Sequence, residues 1–248
     1  MSKYTLKNEA TSDRAELTIY GDIIDDKTAS IYDLWGINAG VGPSDFKSQL
    51  DAVGDKPLDV YISSDGGDVP SGLAIANMLA RRQAETVAYI DGWAASIAGI
   101  IFLACKNRYM ASNTFLMLHQ PMVMGFSGNI DDLERLRQWL KTTTDDSLAF
   151  IIDRLRYPTK DKDVVSDNYK AEHWYGAEEA AQYFDINVTD DCSIRAVASC
   201  KSYKVPAPLK DMLDKNEAIR KKVAGMQHDA MVAKAKEALK GAYDVLYK

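Results

Sequence analysis

The chain has little of what a metal or disulfide protein needs. Only three cysteines occur in its 248 residues, Cys105, Cys192 and Cys200, and their spacing fits no metal-binding pattern. Cys105 lies in an apolar stretch and reads as a small hydrophobe. No disulfide framework is expected, and a reducing, cytoplasmic setting fits better. Histidine is as scarce, with only His119, His173 and His228. The formal net charge is −6, which argues against a general nucleic-acid binder, because such proteins carry a basic face. No apolar run is long enough to span a bilayer. The richest, Ala94 to Cys105, is too short and reads as a buried helix. The opening Met1-Ser2-Lys3-Tyr4-Thr5-Leu6-Lys7 has no apolar core, so no secretory signal is expected. No internal repeat is visible. Neither a metal nor a cofactor is expected, and neither a nucleic acid nor a membrane is expected as a partner.

What is present reads as a soluble globular protein: 46% hydrophobic and 27% charged residues. The length suits one sizeable domain plus an appendage. Residues 1–14 are polar and expected to form a loose arm. Leu17-Thr18-Ile19-Tyr20 reads as a strand ending at Gly21, and Tyr32 to Gly42 as an irregular connection. Ser44 or Asp45 caps an expected helix running to about Val53, with Phe46, Leu50 and Val53 on one face. Leu58 to Ile62 and Thr86 to Ile90 read as strands, separated by a helix starting at Pro70 or Ser71. A helix is expected after Ser96, then short strands near Tyr109-Met110 and Phe115 to Leu118. Asn129 to about Leu155 carries the longest helix signal. Its stripe runs through Ile130, Leu133, Leu136, Leu140, Leu148, Ile151, Ile152 and Leu155, with charges opposite. A short helix near 176–181 and a strand at Ile186-Asn187-Val188 follow. Alternating strands and helices predict parallel pairing with right-handed crossovers. Val205-Pro206-Ala207-Pro208 is a stiff break. The main domain is therefore expected over 15–200, and a helical C-terminal extension over 201–248.

Three short motifs carry chemistry. Ser96 sits in Asp91-Gly92-Trp93-Ala94-Ala95-Ser96-Ile97-Ala98-Gly99, between a strand-like and a helix-like stretch. His119 ends the strand-like Leu116-Met117-Leu118 and precedes Gln120-Pro121. Gly66-Gly67 follows Ser63-Ser64-Asp65 and can present bare amides to an oxyanion. A serine hydroxyl needs a base within hydrogen-bond reach, an acid to orient that base, and donors for the negative oxygen of a tetrahedral intermediate. Taken singly, each motif has a plainer reading: the start of a buried helix, a satisfied strand-end histidine, a tight turn.

Taken in order, the three resemble the ClpP serine peptidase family, from about Leu17 to Asp190. The family's Ser-Pro-Gly-Gly stands here as Ser64-Asp65-Gly66-Gly67. Its Gly-x-Ala-Ala-Ser stands as Gly92-Trp93-Ala94-Ala95-Ser96, and its His-Gln-Pro as His119-Gln120-Pro121. Asp68, Tyr89-Ile90-Asp91-Gly92 and the short N-terminal arm look closest to the ClpP-like head-maturation (prohead) proteases of tailed bacteriophages. The resemblance implies an α/β, crotonase-like spiral of ββα units, with Asn129–Leu155 as a long handle helix that packs rings face to face. It implies Ser96 as nucleophile, His119 as general base and then general acid, and Gly67 and Ile97 as oxyanion-hole donors. It aligns Glu172 with the third member, with Asp167 as the next candidate. It places Met122, Val123, Met124 and Gly125 in the strand and turn where extended substrate docks by strand addition; plain core packing is the alternative for the methionines.

The implied partners are protein or peptide substrates, further copies in a homo-oligomeric ring, and phage capsid or scaffold proteins in the host cytoplasm. Three departures matter. Asp65 replaces the usual proline and is expected to loosen the turn. The N-terminal arm does not match the axial loop that engages an unfoldase ATPase. The tail after Lys201 has no counterpart in the housekeeping enzyme. These favour ATP-independent processing during head maturation. An inactive ring-forming scaffold is a second reading, weakened by the presence of both Ser96 and His119. A crotonase-type acyl-CoA enzyme is a third. It relies on carboxylates near the oxyanion hole and has no need of His-Gln-Pro.

Overall fold

A computed structural model describes residues 6–7, 13–35, 40–123 and 125–189. Met124, Cys192, Cys200, His228, most of the expected arm and the whole expected extension over 201–248 lie outside the described residues. In chain order the strands are β1 (Leu6–Lys7), β2 (Ala15–Tyr20), β3 (Leu58–Ser64), β4 (Thr86–Ala95), β5 (Asn107–Ala111), β6 (Phe115–Leu118), β7 (His173–Gly176) and β8 (Asn187–Thr189). The helices are α1 (Asp26–Leu34), α2 (Pro43–Val53), α3 (Val69–Ala80), α4 (Ile97–Ala104), α5 (Ile130–Ile152), α6 (Pro158–Ala171) and α7 (Ala177–Tyr183).

The eight strands among the described residues join one mixed sheet. Pairs β2–β3, β3–β4, β4–β5, β4–β6 and β5–β8 are parallel, while β1–β2 and β6–β7 are antiparallel. The alternation read in β3 has its cause here: Leu58, Val60 and Ile62 point into the core, while Tyr61 lies on the other face and stacks on Tyr89, which stacks on Tyr109. Strand β4 is ten residues long and serves two neighbours. Val87 to Ile90 pairs with β5, and Trp93 to Ala95 pairs with β6. Helix α4 is buried on every side, which explains a sequence with no polar face.

The structure departs from the sequence reading at α1, α6, β7 and the segment after β6. Helix α1 forms mostly ahead of the stretch read as irregular and takes in its first residues, Tyr32 to Leu34; it is capped by the Asp25 side chain, which accepts from the amides of Lys27 and Thr28. None of its residues is buried, so no apolar period announced it. Helix α6 also went unforeseen, because only Asp161, Val165 and Tyr169 turn inward from a polar sequence. Strand β7, four residues long, is a further unforeseen element. The stripe on α5 is only partly covered: Ile130 is 79% exposed and Leu133 51%, while Ile151 is buried. Its start is well made, since Asn129 and Asp132 form a reciprocal capping box. Finally, residues 119–123 and 125–129 form no strand. Met122 and Val123 are exposed, with no neighbouring strand among the described residues to supply a ladder.

Candidate active site

Ser96 stands where β4 turns into α4. Its amide donates to the Met117 carbonyl on β6 at 2.9 Å, and its carbonyl accepts from Gly99 at 3.0 Å. Between these anchors the backbone is forced to φ 57°, ψ −125°. That conformation is strained for a residue with a side chain and places the hydroxyl at the tip of a strand-to-helix turn. Gly99 permits the close seat of α4 on β6, since a Cβ there would lie 2.9 Å from Leu118 Cδ2 and 3.1 Å from the Met117 oxygen.

His119 follows β6 directly, and its Nε2 lies 2.7 Å from Ser96 Oγ. Glu172 reaches the imidazole from the other side. The antiparallel register pairs Leu118 with His173, which sets the next residue of one strand opposite the residue preceding the other. Glu172 is the left-handed C-cap of α6, at φ 60° and ψ 78°, and its Oε2 lies 3.5 Å from His119 Nδ1. That separation is long for a hydrogen bond and within range of an ion pair. Contacts of this kind are often loose in a free site. With Nδ1–H turned to the carboxylate, Nε2 is left to accept from the serine. Burial pushes the His119 pKa below its ordinary value, and the Glu172 carboxylate pulls the other way. The imidazole is thus neutral, and able to take a proton, at neutral pH.

Asp167 is not beside this pair in the hydrogen-bond pattern. It lies exposed on α6 with Lys170 Nζ 3.0 Å away. His173 pairs with Glu179 at 2.8 Å and packs edge-on to Tyr175.

The Gly66-Gly67 turn lies against the serine. A Cβ on Gly66 would stand 2.8 Å from Ser96 Cβ and 3.2 Å from Ile97 N. Both glycines have positive φ, and a Cβ on Gly67 would collide with the Ile23 carbonyl oxygen. The turn's hydrogen bonds account for most of its groups. Ser64 Oγ donates to the Gly21 carbonyl at 2.5 Å and accepts from the Gly66 amide at 3.1 Å. Ile23 donates to the Gly66 carbonyl, and its own carbonyl accepts from Asp68 at 2.8 Å. The Gly67 amide has no such partner among the described residues. The Ile97 amide opens α4 and has no carbonyl one turn back to meet it. The Ile97 amide thus follows Ser96 directly at the positive end of α4, and the turn that carries the Gly67 amide packs on Ser96 through Gly66. The Ser64 bridge and the part played by Ile23 leave no trace in the sequence, because neither residue type is distinctive for such a task.

Ser96 and Glu172 are the only non-glycine residues with positive φ among those described. Such strain costs on the order of 1–3 kcal/mol per residue and persists where the surroundings over-determine it. Ser96→Gly is therefore expected to raise Tm by about 2–4 °C, equivalent to roughly 1 kcal/mol in a chain of this size. Scanning calorimetry would read it, and a lowered Tm would contradict the strain.

A hydroxyl, an imidazole and a carboxylate in series, beside bare amides on an α/β sheet, are the working parts of a serine hydrolase. The family profile described as Clp protease matches residues 48–186, more than half of the chain, and the protein belongs to that family. A proteolytic subunit of the ATP-dependent Clp protease of Bdellovibrio bacteriovorus is 37% identical over 84 residues, covering 32% of this chain and 40% of that one. Subunit 1 from Salinibacter ruber is 30% identical over 133 residues, covering 52% and 54%. Subunit 2 from Gluconobacter oxydans is 33% identical over 145 residues, covering 56% and 62%. The chain thus spans about half the length of these curated relatives. A mutant ClpP1 from Listeria monocytogenes shares the fold, with a TM-score of 0.55 at 21% identity, over 71% of this chain and 92% of that one. Among the described residues no helix is long and apolar enough to cross a membrane.

Proposed function

We propose that the protein is a serine endopeptidase that cleaves extended protein or peptide segments. The carrying observation is the 2.7 Å contact between Ser96 Oγ and His119 Nε2, at a turn on which Gly66 packs closely. Ser96 Oγ attacks the scissile carbonyl carbon as His119 takes its proton. The carbonyl oxygen, now negative, receives the Gly67 and Ile97 N–H groups. Glu172 steadies the imidazolium, which then protonates the departing amine. Water, deprotonated by the same imidazole, hydrolyses the acyl-enzyme and returns Ser96 to its starting state.

Substrate docks as an added strand along Met122, Val123, Met124 and Gly125, a stretch whose first two side chains are exposed and without a ladder partner. The active form is a homo-oligomeric ring. Ile130 and Leu133 stand exposed on one face of the first turns of α5, apolar surface that a second copy would cover. The substrates are capsid or scaffold proteins, processed in the host cytoplasm during phage head maturation without an ATPase. This finer reading is supported by the residues around Asp68 and by Tyr89-Ile90-Asp91-Gly92, which resemble those of the phage branch. An ATPase-coupled proteolytic subunit is the second reading, favoured by the names of the relatives. Purified full-length protein, incubated with an unstructured protein substrate with and without ATP, separates them. Ser96-dependent cleavage at the same rate in both is expected. Cleavage that requires ATP and an added unfoldase would favour the second reading.

A further inference from the structure

The ladder between β3 and β4 breaks just where the Gly66-Gly67 turn leaves the sheet. Ile62 pairs with Ile90, yet Ser64, two residues on, pairs with Ala94, four residues on. The ladder resumes at Ser64 and Ala94 and ends there, so beyond Ser64 the backbone of the turn is bonded to Ile23 and not to the strand that carries Ser96. Two side-chain contacts span the gap. Tyr20 donates its hydroxyl to Asp91, inside the bulged segment. Trp93 Nε1 donates to Asp65 Oδ1 at 2.6 Å. The second contact joins the residue before Gly66 to the residue three before Ser96. The turn expected to be loose for want of a proline is held by a charge-assisted hydrogen bond instead.

We infer that the Asp65–Trp93 bond is a positioning device: it sets the Gly67 amide at the distance and angle from Ser96 that the oxyanion requires. Neither residue touches the reacting atoms. The indole is half-buried and anchored in the stretch of β4 that pairs with β6, where Trp93 is opposite Phe115. It is thus the fixed post, and Asp65, on the exposed turn, is the tethered end. Donors aimed at an oxyanion lose their value quickly when displaced, since a misplacement of about 1 Å can cost on the order of a hundredfold in rate. A turn set free samples such displacements without unfolding.

This inference rests on the peptidase reading, and its test keeps the two apart. Turnover of a peptide ester or amide is measured for the full-length parent, Ser96→Ala, Asp65→Ala, Trp93→Phe, the double variant Asp65→Ala/Trp93→Phe and Asp65→Asn, each normalised to folded protein. Asp65→Ala and Trp93→Phe are each expected to lower kcat about tenfold with KM within about twofold of the parent. The double variant is expected to lose no more than either single one, because both break the same bond. Asp65→Asn keeps an acceptor oxygen and is expected to restore most of kcat. A purely structural role would lower Tm in all of them and leave kcat per folded site unchanged. Unchanged kcat in both single variants, or losses that multiply in the double variant, overturns the tether while the peptidase reading stands. A parent without Ser96-dependent turnover overturns the peptidase reading and the tether with it.

Discussion

His119→Ala is expected to reduce kcat by roughly 10⁴- to 10⁶-fold while circular dichroism stays that of the parent. The reason lies in the 2.7 Å contact. A serine hydroxyl at neutral pH is almost wholly protonated, and the imidazole Nε2 is the group within reach to accept that proton. With the ring gone, the hydroxyl remains at its strained tip and the amides of Gly67 and Ile97 remain bare, so substrate still binds and some acceleration over water survives. Ser96→Ala is expected to cost as much, and the double variant no more than either, because the two groups act as one unit. Steady-state kinetics on assembled protein checks this. A His119→Ala variant that keeps full activity would remove the histidine from the mechanism.

Glu172→Gln carries the second large effect, with an expected loss of roughly 10²- to 10⁴-fold in kcat. The contact to Nδ1 is 3.5 Å and the glutamate side chain is one-third exposed, which favours the lower end of that range. The pH profile supplies a second readout with a definite sign. His119 works as a base only when neutral, so activity falls as pH drops through its pKa. Burial already holds that pKa below the ordinary histidine value, and the Glu172 charge raises it. Loss of the charge leaves burial unopposed. The acid limb of the residual activity is thus expected to move to still lower pH in Glu172→Gln. Asp167→Asn is expected to change kcat by less than about twofold, because Asp167 faces solvent beside Lys170. Equal effects of the two substitutions, or a limb that moves upward, would unseat Glu172 as the third member.

The parts of the site that were legible in the sequence are those whose chemistry demands a residue type. Ser96, His119 and the glycine pair are such residues, and they became legible together and in order, since each alone has a plainer reading. Glu172 was legible only by alignment with a pattern, since nothing in its neighbours reveals that α6 ends there in a left-handed turn. Asp65 was misjudged for a similar reason. Its effect on the turn depends on Trp93, 28 residues away, and a contact of that separation leaves no local trace.

The fold followed the same division. Strands β2, β3 and β6 and helices α2, α3 and α4 carry apolar periods or runs because each turns a face or its whole surface to the core. Helices α1 and α6 bury little or nothing and are set by caps and a first-turn proline, which are weaker signals over a few residues. The stripe on α5 is present as read, and its first turns are exposed, since a periodic apolar face does not say which chain will bury it.

The most direct test of the account is covalent labelling of the full-length, assembled protein with a fluorophosphonate, followed by mapping of the modified residue by mass spectrometry. The account predicts a single phosphonylated side chain, Ser96, with labelling slowed by orders of magnitude in His119→Ala. An assembled protein that stays unlabelled, or carries the label on another residue, would contradict it.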